Sequence, residues 1–194
     1  MSAQQQRRER ERAARHSLIV EAAREIAETE GWAAVTTRRL SEKVAYSQPV
    51  LYSHFKGKEG IVAAVATEGF VELTAALRAA RTGAADPVAA LKAFAEAYLG
   101  FARAHPALYE AMFVHRTTLE FATDDSPEIL KTAFAEFLAT VAPLAGARDT
   151  DTLAELVWST LHGLASLDGT DRLRPDLADG RLELLVNGVV SGGR

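Results

Sequence analysis

Between Val35 and Ile61 the chain reads V-T-T-R-R-L-S-E-K-V-A-Y-S-Q-P-V-L-Y-S-H-F-K-G-K-E-G-I. These residue types suit contact with DNA. Arg bonds a guanine edge bidentately, Gln an adenine edge, and hydroxyls and cations serve phosphates. The spacing supplies elements to carry them. Thr37 is placed to cap a short helix in which Leu40 and Val44, four apart, share a buried face while Arg38, Arg39 and Lys43 point elsewhere. Ser47 is placed to cap a second short helix, with Pro49 in its first turn, where a missing N–H costs little. Val50 and Leu51 give that helix an apolar side, Phe55 anchors it, and Tyr52 and His54 remain as polar-tipped groups. Gly57 breaks the chain and Lys58 opens a longer helix. A short helix led by Ser47 and Gln48 fits a major groove, where residues near the helix N-terminus reach base edges. The same spacing also fits an ordinary helical hairpin with solvated charges.

Other candidate chemistry is thin. Ser53-x-x-Lys56 matches S-x-x-K without its companion motifs, and Gly57-Lys58 lacks the upstream Gly of a phosphate loop. The five histidines, at 16, 54, 105, 115 and 162, form no H-x-x-x-H pair. No enzyme activity, metal site or cofactor is expected. Tyr98, Phe101, Met112, Phe113, Phe134, Phe137, Trp158 and His162 fall on four segments that should converge. They describe either a well-packed core or an aromatic ligand pocket with a few polar tips. Arg103, His115 and Arg116 could bind a negative group or simply be solvated.

The elements that must position these residues are helical throughout. Leu18, Ile19, Ala22, Ala23, Ile26 and Ala27 recur at helical spacing up to Gly31. The preceding residues 1–15 interleave Arg7, Arg8, Arg10, Arg12 and Arg15 with Glu9 and Glu11. They read as a solvated helical extension or as an arm touching phosphates or the minor groove. Lys58 to about Ala80 is one long amphipathic helix with Ile61, Val62, Val65, Phe70, Leu73 and Leu77 on one stripe. Asp86-Pro87 starts the next, which His105-Pro106 ends, and a short helix follows to about Val114. Residues 115–125 read as a loop. Ser126-Pro127 starts another helix, which ends near Pro143 or Gly146. Asp149 or Asp151 starts the next, ending at Gly169, and Asp176 starts the last. The fold class is all-α, with about nine helices.

Composition agrees with a folded, reduced protein. The chain has 194 residues, 48% of them hydrophobic, and no cysteine. It has no run of about 18 apolar residues and no apolar segment near its start, so a cytoplasmic protein without a membrane partner is expected. The net charge of −4 is unevenly divided. Residues 1–60 hold 11 Lys and Arg against 8 Asp and Glu, while residues 61–194 hold 11 against 18. The basic excess sits with the segment suited to DNA.

The run G31…T36-T37…L40…V44…S47…L51-Y52-x-H54-F55-x-x-K58-E59 resembles the DNA-binding module of the TetR family of bacterial transcriptional regulators, over about residues 16 to 65. The resemblance implies that Arg38, Gln48 and Pro49 reach bases and that Thr37, Ser47, Tyr52, His54 and Lys58 bind the backbone, with Thr36 among the DNA-binding residues. One position departs: the family usually has Gly in the turn, and this chain has Ala45 followed by Tyr46. A left-handed Ala there costs about 1 kcal/mol. Residues 97–113 and W-S-T-L-H-G-L-A at 158–165 look like a TetR-family C-terminal domain marked by a Trp-His-Gly motif, with Leu161 in the first motif position before His162 and Gly163. That resemblance implies a pocket for a small, largely apolar effector.

The expected organisation is an extension at 1–15, a helix-turn-helix domain at 16–60 and a ligand-binding and dimerisation domain at 61–194. The last two helices are too apolar for a monomer. Leu184, Leu185 and Val186 in a row cannot all face one core, and meeting their copies in a four-helix bundle would bury both sides. The expected function is a homodimeric regulator, in the repressor role, that binds double-stranded DNA at a palindromic operator and is released by its small-molecule effector. A regulator with a closed, unresponsive core is the alternative.

Overall fold

Helix formation begins almost at the first residue. In the computed structural model, which describes residues 2–115, 123 and 126–193, Ser2 closes a capping box with Gln5: its hydroxyl accepts the Gln5 N–H at 3.3 Å, and its own N–H donates to Gln5 Oε1 at 2.8 Å. The helix this starts, α1, runs without interruption over Ala3–Glu30. Every residue from Ser2 to Ala14 is exposed, so residues 3–14 continue the helix as a solvated rod, and Arg15 and His16 are half-buried. Burial starts at Ile19 and Val20 and continues through Ala22, Ala23, Ile26 and Ala27. Gly31, at φ 82°, ends the helix in a backbone conformation that favours glycine.

The chain divides into two compact units. One comprises Met1–Gly69 with His105–Leu119, the other Phe70–Ala104 with Glu120–Arg194. In the first, α1 is followed by one 3-10 turn at Trp32–Ala34, then α2 (Thr37–Val44), α3 (Gln48–His54) and α4 (Gly57–Thr82), whose residues to Gly69 belong here. After α5 (Pro87–Ala104), which lies in the second unit, α6 (Pro106–Phe113) completes the first. Its N-terminus is tied to α1. Glu28 accepts the backbone N–H groups of Ala107 and Leu108 at 3.1 and 3.0 Å, supplying an acceptor for two donors that have no intrahelical partner. The Trp32 indole N–H donates to the Ala107 carbonyl at 2.8 Å. Gly69 lets α4 and α6 meet closely. A methyl group there would lie 2.6 Å from Met112 Sδ and 2.9 Å from Leu108 Cδ1.

The second unit packs the remainder of α4 with α5, α7 (Glu128–Val141), α8 (Thr150–Asp168) and α9 (Ala178–Ser191). Asp86 starts α5 as expected, its carboxylate accepting from the Val88 and Ala89 N–H groups at 2.9 Å each. Asp149 caps α8 through the Thr152 N–H at 2.8 Å. Two starts are displaced from the sequence reading. Pro127, not Ser126, occupies the cap position of α7, because the Ser126 hydroxyl is engaged by the Thr123 N–H at 3.0 Å. Asp176 lies in a 3-10 turn, Pro175–Leu177, and α9 begins at Ala178. The expected 115–125 loop falls mostly outside the described residues, as does Arg116.

Nine α-helices and no strand occur among the described residues, so the chain is all-α. By length and composition α4 could cross a membrane, but half of its most apolar window is buried within the protein. Ile61, Val62 and Val65 pack in the first unit, and Phe70, Leu73 and Leu77 in the second. Among the described residues of the second unit one charge, Glu136, is buried. The Glu136 carboxylate meets Arg78 at 2.6 Å and Arg81 at 2.7 Å. Burial works against its charge, yet the hydrogen bonds from both guanidinium groups outweigh burial and hold the carboxyl below its ordinary range.

Candidate nucleic-acid interface

Two short helices joined by a tight turn carry the predicted DNA-binding residues. Leu40, Val44, Leu51 and Phe55 are buried and fix α2 and α3 to the rest of the unit. The cap of α2 is Thr36 rather than Thr37: its hydroxyl accepts the Arg39 N–H at 3.1 Å. Thr37 is the first helical residue, and its carbonyl accepts from the Ser41 hydroxyl at 2.7 Å. The helix must begin one residue earlier than Thr37 alone would place it, because the Leu40 N–H closes its first turn on the Thr36 carbonyl at 2.9 Å.

Ala45 turns the chain between the helices at φ 56°, ψ 33°, the left-handed conformation for which glycine is the usual residue. Ser47 then takes the cap position of α3 in extended backbone, without a cap bond from its hydroxyl. That hydroxyl and the neighbouring Gln48 and Pro49 are exposed at the start of α3. Tyr52 follows one turn later, 56% exposed. His54 is half-buried at the end of α3, and the Lys58 ammonium, in the first turn of α4, donates to the Trp32 carbonyl. On α2, Arg38 is exposed and pairs with Glu42 at 3.1 Å, an i,i+4 contact weak enough to exchange for another anion.

A histidine pair that sequence reasoning missed sits beside this surface. The His16 ring, on α1, lies 6.5 Å from His54 and 4.6 Å from Phe55. Burial, then the charges of Arg12, His16 and Arg15, lower the His54 pKa and favour its neutral form. The signal that was available is only that His16 stands three residues before Ile19 on the apolar side of α1.

The geometry therefore has the parts of a helix-turn-helix, and comparison with known proteins decides its kind. The family model described as "Bacterial regulatory proteins, tetR family" matches residues 19–65, and that of the "Tetracyclin repressor-like, C-terminal domain" matches residues 91–189. The chain belongs to the TetR family. It is a DNA-binding transcriptional regulator, not an enzyme. It is 36% identical over 109 residues to an "Uncharacterized HTH-type transcriptional regulator YobS" of Bacillus subtilis (strain 168), a match covering 55% of this chain and 56% of that protein. The matched stretch thus spans little more than half the length of that relative.

Solved TetR-fold structures are similar over most of the chain. A protein of unknown function from Rhodococcus sp. RHA1 superposes with a TM-score of 0.76 at 24% identity, covering 91% of this chain and 94% of that one. The regulator FadR from Bacillus subtilis, in complex with stearoyl-CoA, gives 0.70 at 16% identity, covering 89% and 98%. At these identities the likeness is one of fold.

In this TetR regulator the residues proposed for a ligand pocket are divided. Tyr98, Phe101, Phe134, Phe137, Trp158 and His162 lie in the second unit, whereas Met112 and Phe113 lie on α6 in the first. Tyr98, Phe137, Phe134, Trp158 and His162 make a chain of aromatic contacts. Tyr98 and Phe137 have ring centroids 5.9 Å apart, Phe134 and Trp158 6.5 Å, and Trp158 and His162 6.4 Å. Tyr98, Phe101 and Phe137 are buried, while Phe134, Trp158 and His162 are partly exposed. Burial lowers the His162 pKa, so its ring favours the neutral form. Arg103 sits apart from that chain, 3.6 Å from Asp168, on a small cleft lined also by Leu99, Leu164 and Arg181. No cluster of metal-ligating side chains occurs among the described residues.

Proposed function

We propose that this regulator is a repressor that binds a palindromic operator as a homodimer and leaves it when a small, largely apolar effector binds. The observation that carries the DNA half is the exposed start of α3, where Ser47, Gln48 and Pro49 stand clear of the fold while Leu51 and Phe55 anchor the helix behind them. Gln48, Pro49 and Arg38 take the base contacts. Thr36, Thr37, Ser47, Tyr52, His54 and Lys58 take the phosphates. Two such helices about one turn of DNA apart, ~34 Å, read two half-sites.

The dimer half rests on the outer sides of α8 and α9. Leu156 is 60% exposed and Leu184 74%, each on a helix whose opposite side is buried. A four-helix bundle with a second copy covers both. The extension at 1–15, the DNA module at 16–60 and the effector and dimerisation region at 61–194 are its working parts, and its DNA partner places it in the cytoplasm.

The effector would bind among the aromatic side chains of the second unit and act through α4, the helix that both units share. It shifts the balance only by binding one arrangement of the two DNA modules better than the other. FadR of Bacillus subtilis was solved with stearoyl-CoA, which supports an elongated apolar effector class. The close packing of Tyr98, Phe94 and Phe137 favours a second reading, a regulator whose core admits no ligand.

Selection from randomised duplexes with purified protein tests the proposal. Enrichment of a palindrome is the expected result, and enrichment of no sequence overturns it. Titration of acyl compounds that leaves affinity for the selected duplex unchanged favours the closed-core reading.

A further inference from the structure

The DNA module itself carries no net charge. Residues 16–60 hold six Lys and Arg and six Glu, whereas residues 1–15 hold five Arg and two Glu. The whole basic excess of the DNA-binding region is therefore on the first turns of α1, where Arg8, Arg10 and Arg12 are exposed and Arg15 is half-buried, its Nε donating to the Glu11 carbonyl at 3.0 Å. Within the module, cations are also engaged: Arg39 pairs with Glu30 at 2.8 Å, Lys43 with Glu25 at 2.7 Å, and Lys58 donates to the Trp32 carbonyl. On the extension, Arg7 pairs with Glu11 at 2.8 Å, but Arg8, Arg10 and Arg12 form no ion pair among the described residues.

Arg8, Arg12 and Arg15 recur at i, i+4 and i+7 and so share one face of the helix. That face runs toward α3. His16, next along α1, has its ring 6.5 Å from that of His54, at the end of the helix that would enter the groove. Arg12 and Arg15 are near enough to act electrostatically on His54. The 13 residues from Ala3 to Arg15 extend about 20 Å, a length of about six base pairs. A rigid, capped, positively charged rod beside the recognition helix complements a duplex that continues beyond the site.

We propose that the first turns of α1 are a second DNA-binding element, in which Arg8, Arg12 and Arg15 grip phosphates of the duplex flanking the site read by α3. This inference rests on the DNA-binding reading of α3. It adds affinity independent of sequence, because phosphate contacts position a protein and carry no base information.

The test uses the full chain and two 40-base-pair duplexes, one holding the selected site at its centre and one of arbitrary sequence, each titrated at several salt concentrations. R8Q/R12Q keeps good helix formers at exposed positions, so helical content by circular dichroism stays the same. The expected result is a loss of about tenfold or more on both duplexes and a salt slope shallower by about 2–4 for the dimer. The ratio between the duplexes stays unchanged. E9Q/E11Q, which raises the charge of the rod, tightens both. Unchanged affinity and slope in R8Q/R12Q, with wild-type binding intact, overturn the inference and leave the α3 reading standing. Wild-type protein that binds neither duplex overturns both. Binding to anionic vesicles that R8Q/R12Q abolishes, without effect on either duplex, assigns the rod to membranes and overturns the inference.

Discussion

The indole N–H of Trp32 donates to the carbonyl oxygen of Ala107 at 2.8 Å, joining the turn after α1 to the start of α6 across 75 residues of sequence. Beside it, Glu28 accepts from the Ala107 and Leu108 N–H groups. The first turn of α6 is thus held from both its donor and its acceptor side. Trp32→Phe keeps most of the packing and removes the indole bond to a carbonyl that also serves the α6 backbone, at a cost of about 0.5–1.5 kcal/mol. Glu28→Gln retains one acceptor and loses about 1 kcal/mol. Denaturant titration reads both. No change in Trp32→Phe would mean that water replaces the indole.

Ala45 predicts a gain. Its left-handed backbone costs about 1–2 kcal/mol relative to the right-handed form, and glycine removes that strain while adding about 0.5–1 kcal/mol of unfolded-state freedom. Ala45→Gly should therefore raise stability by up to about 1 kcal/mol, seen as a higher denaturation midpoint. A lower midpoint would show that the half-buried Tyr46 already holds the turn in place.

Glu136 predicts acid sensitivity. Burial disfavours its charge, but its bonds to Arg81 and Arg78 prevail and its folded pKa lies below the ordinary value of 4.5. The stabilisation is present above the unfolded pKa and is lost as pH falls through the folded value. Glu136→Ala should cost about 2–4 kcal/mol at neutral pH, less than a fully buried pair because Arg78 is half exposed. The variant's unfolding free energy should fall less steeply than wild type below pH 4.5. Parallel pH profiles would refute the assignment.

Leu156 and Leu184 predict the assembly. Each is exposed on a helix whose opposite side is buried. Leu156→Glu/Leu184→Glu should give a folded monomer in sedimentation velocity, with loss of cooperative operator binding. An unchanged dimer would place the contact elsewhere.

Local chemistry made much of the fold legible. Asp86-Pro87 and Asp149 announce helix starts because a carboxylate cap acts within its own turn. Thr36 and Thr37 are equivalent to a reader of sequence; only the bond from Leu40 back to Thr36 decides between them. Ser126 misled because its hydroxyl serves Thr123 instead of the helix. The two short helices α2 and α3 were legible because the buried Leu40, Val44 and Leu51 and the turn at Ala45 sit within one short segment. Glu28, Trp32 and Glu136 were not, since each finds its partners 55 or more residues away. The division of the aromatic residues was not legible, since it follows from α6 belonging with residues 1–69 rather than with α5.

Gly69 sets how closely that grouping packs. Met112 and Leu108 already fill the space a methyl group would need, so α4 meets α6 there through the tips of two adaptable side chains. A larger residue at 69 would have to displace those tips, so the closeness of the two helices is written into a single missing side chain.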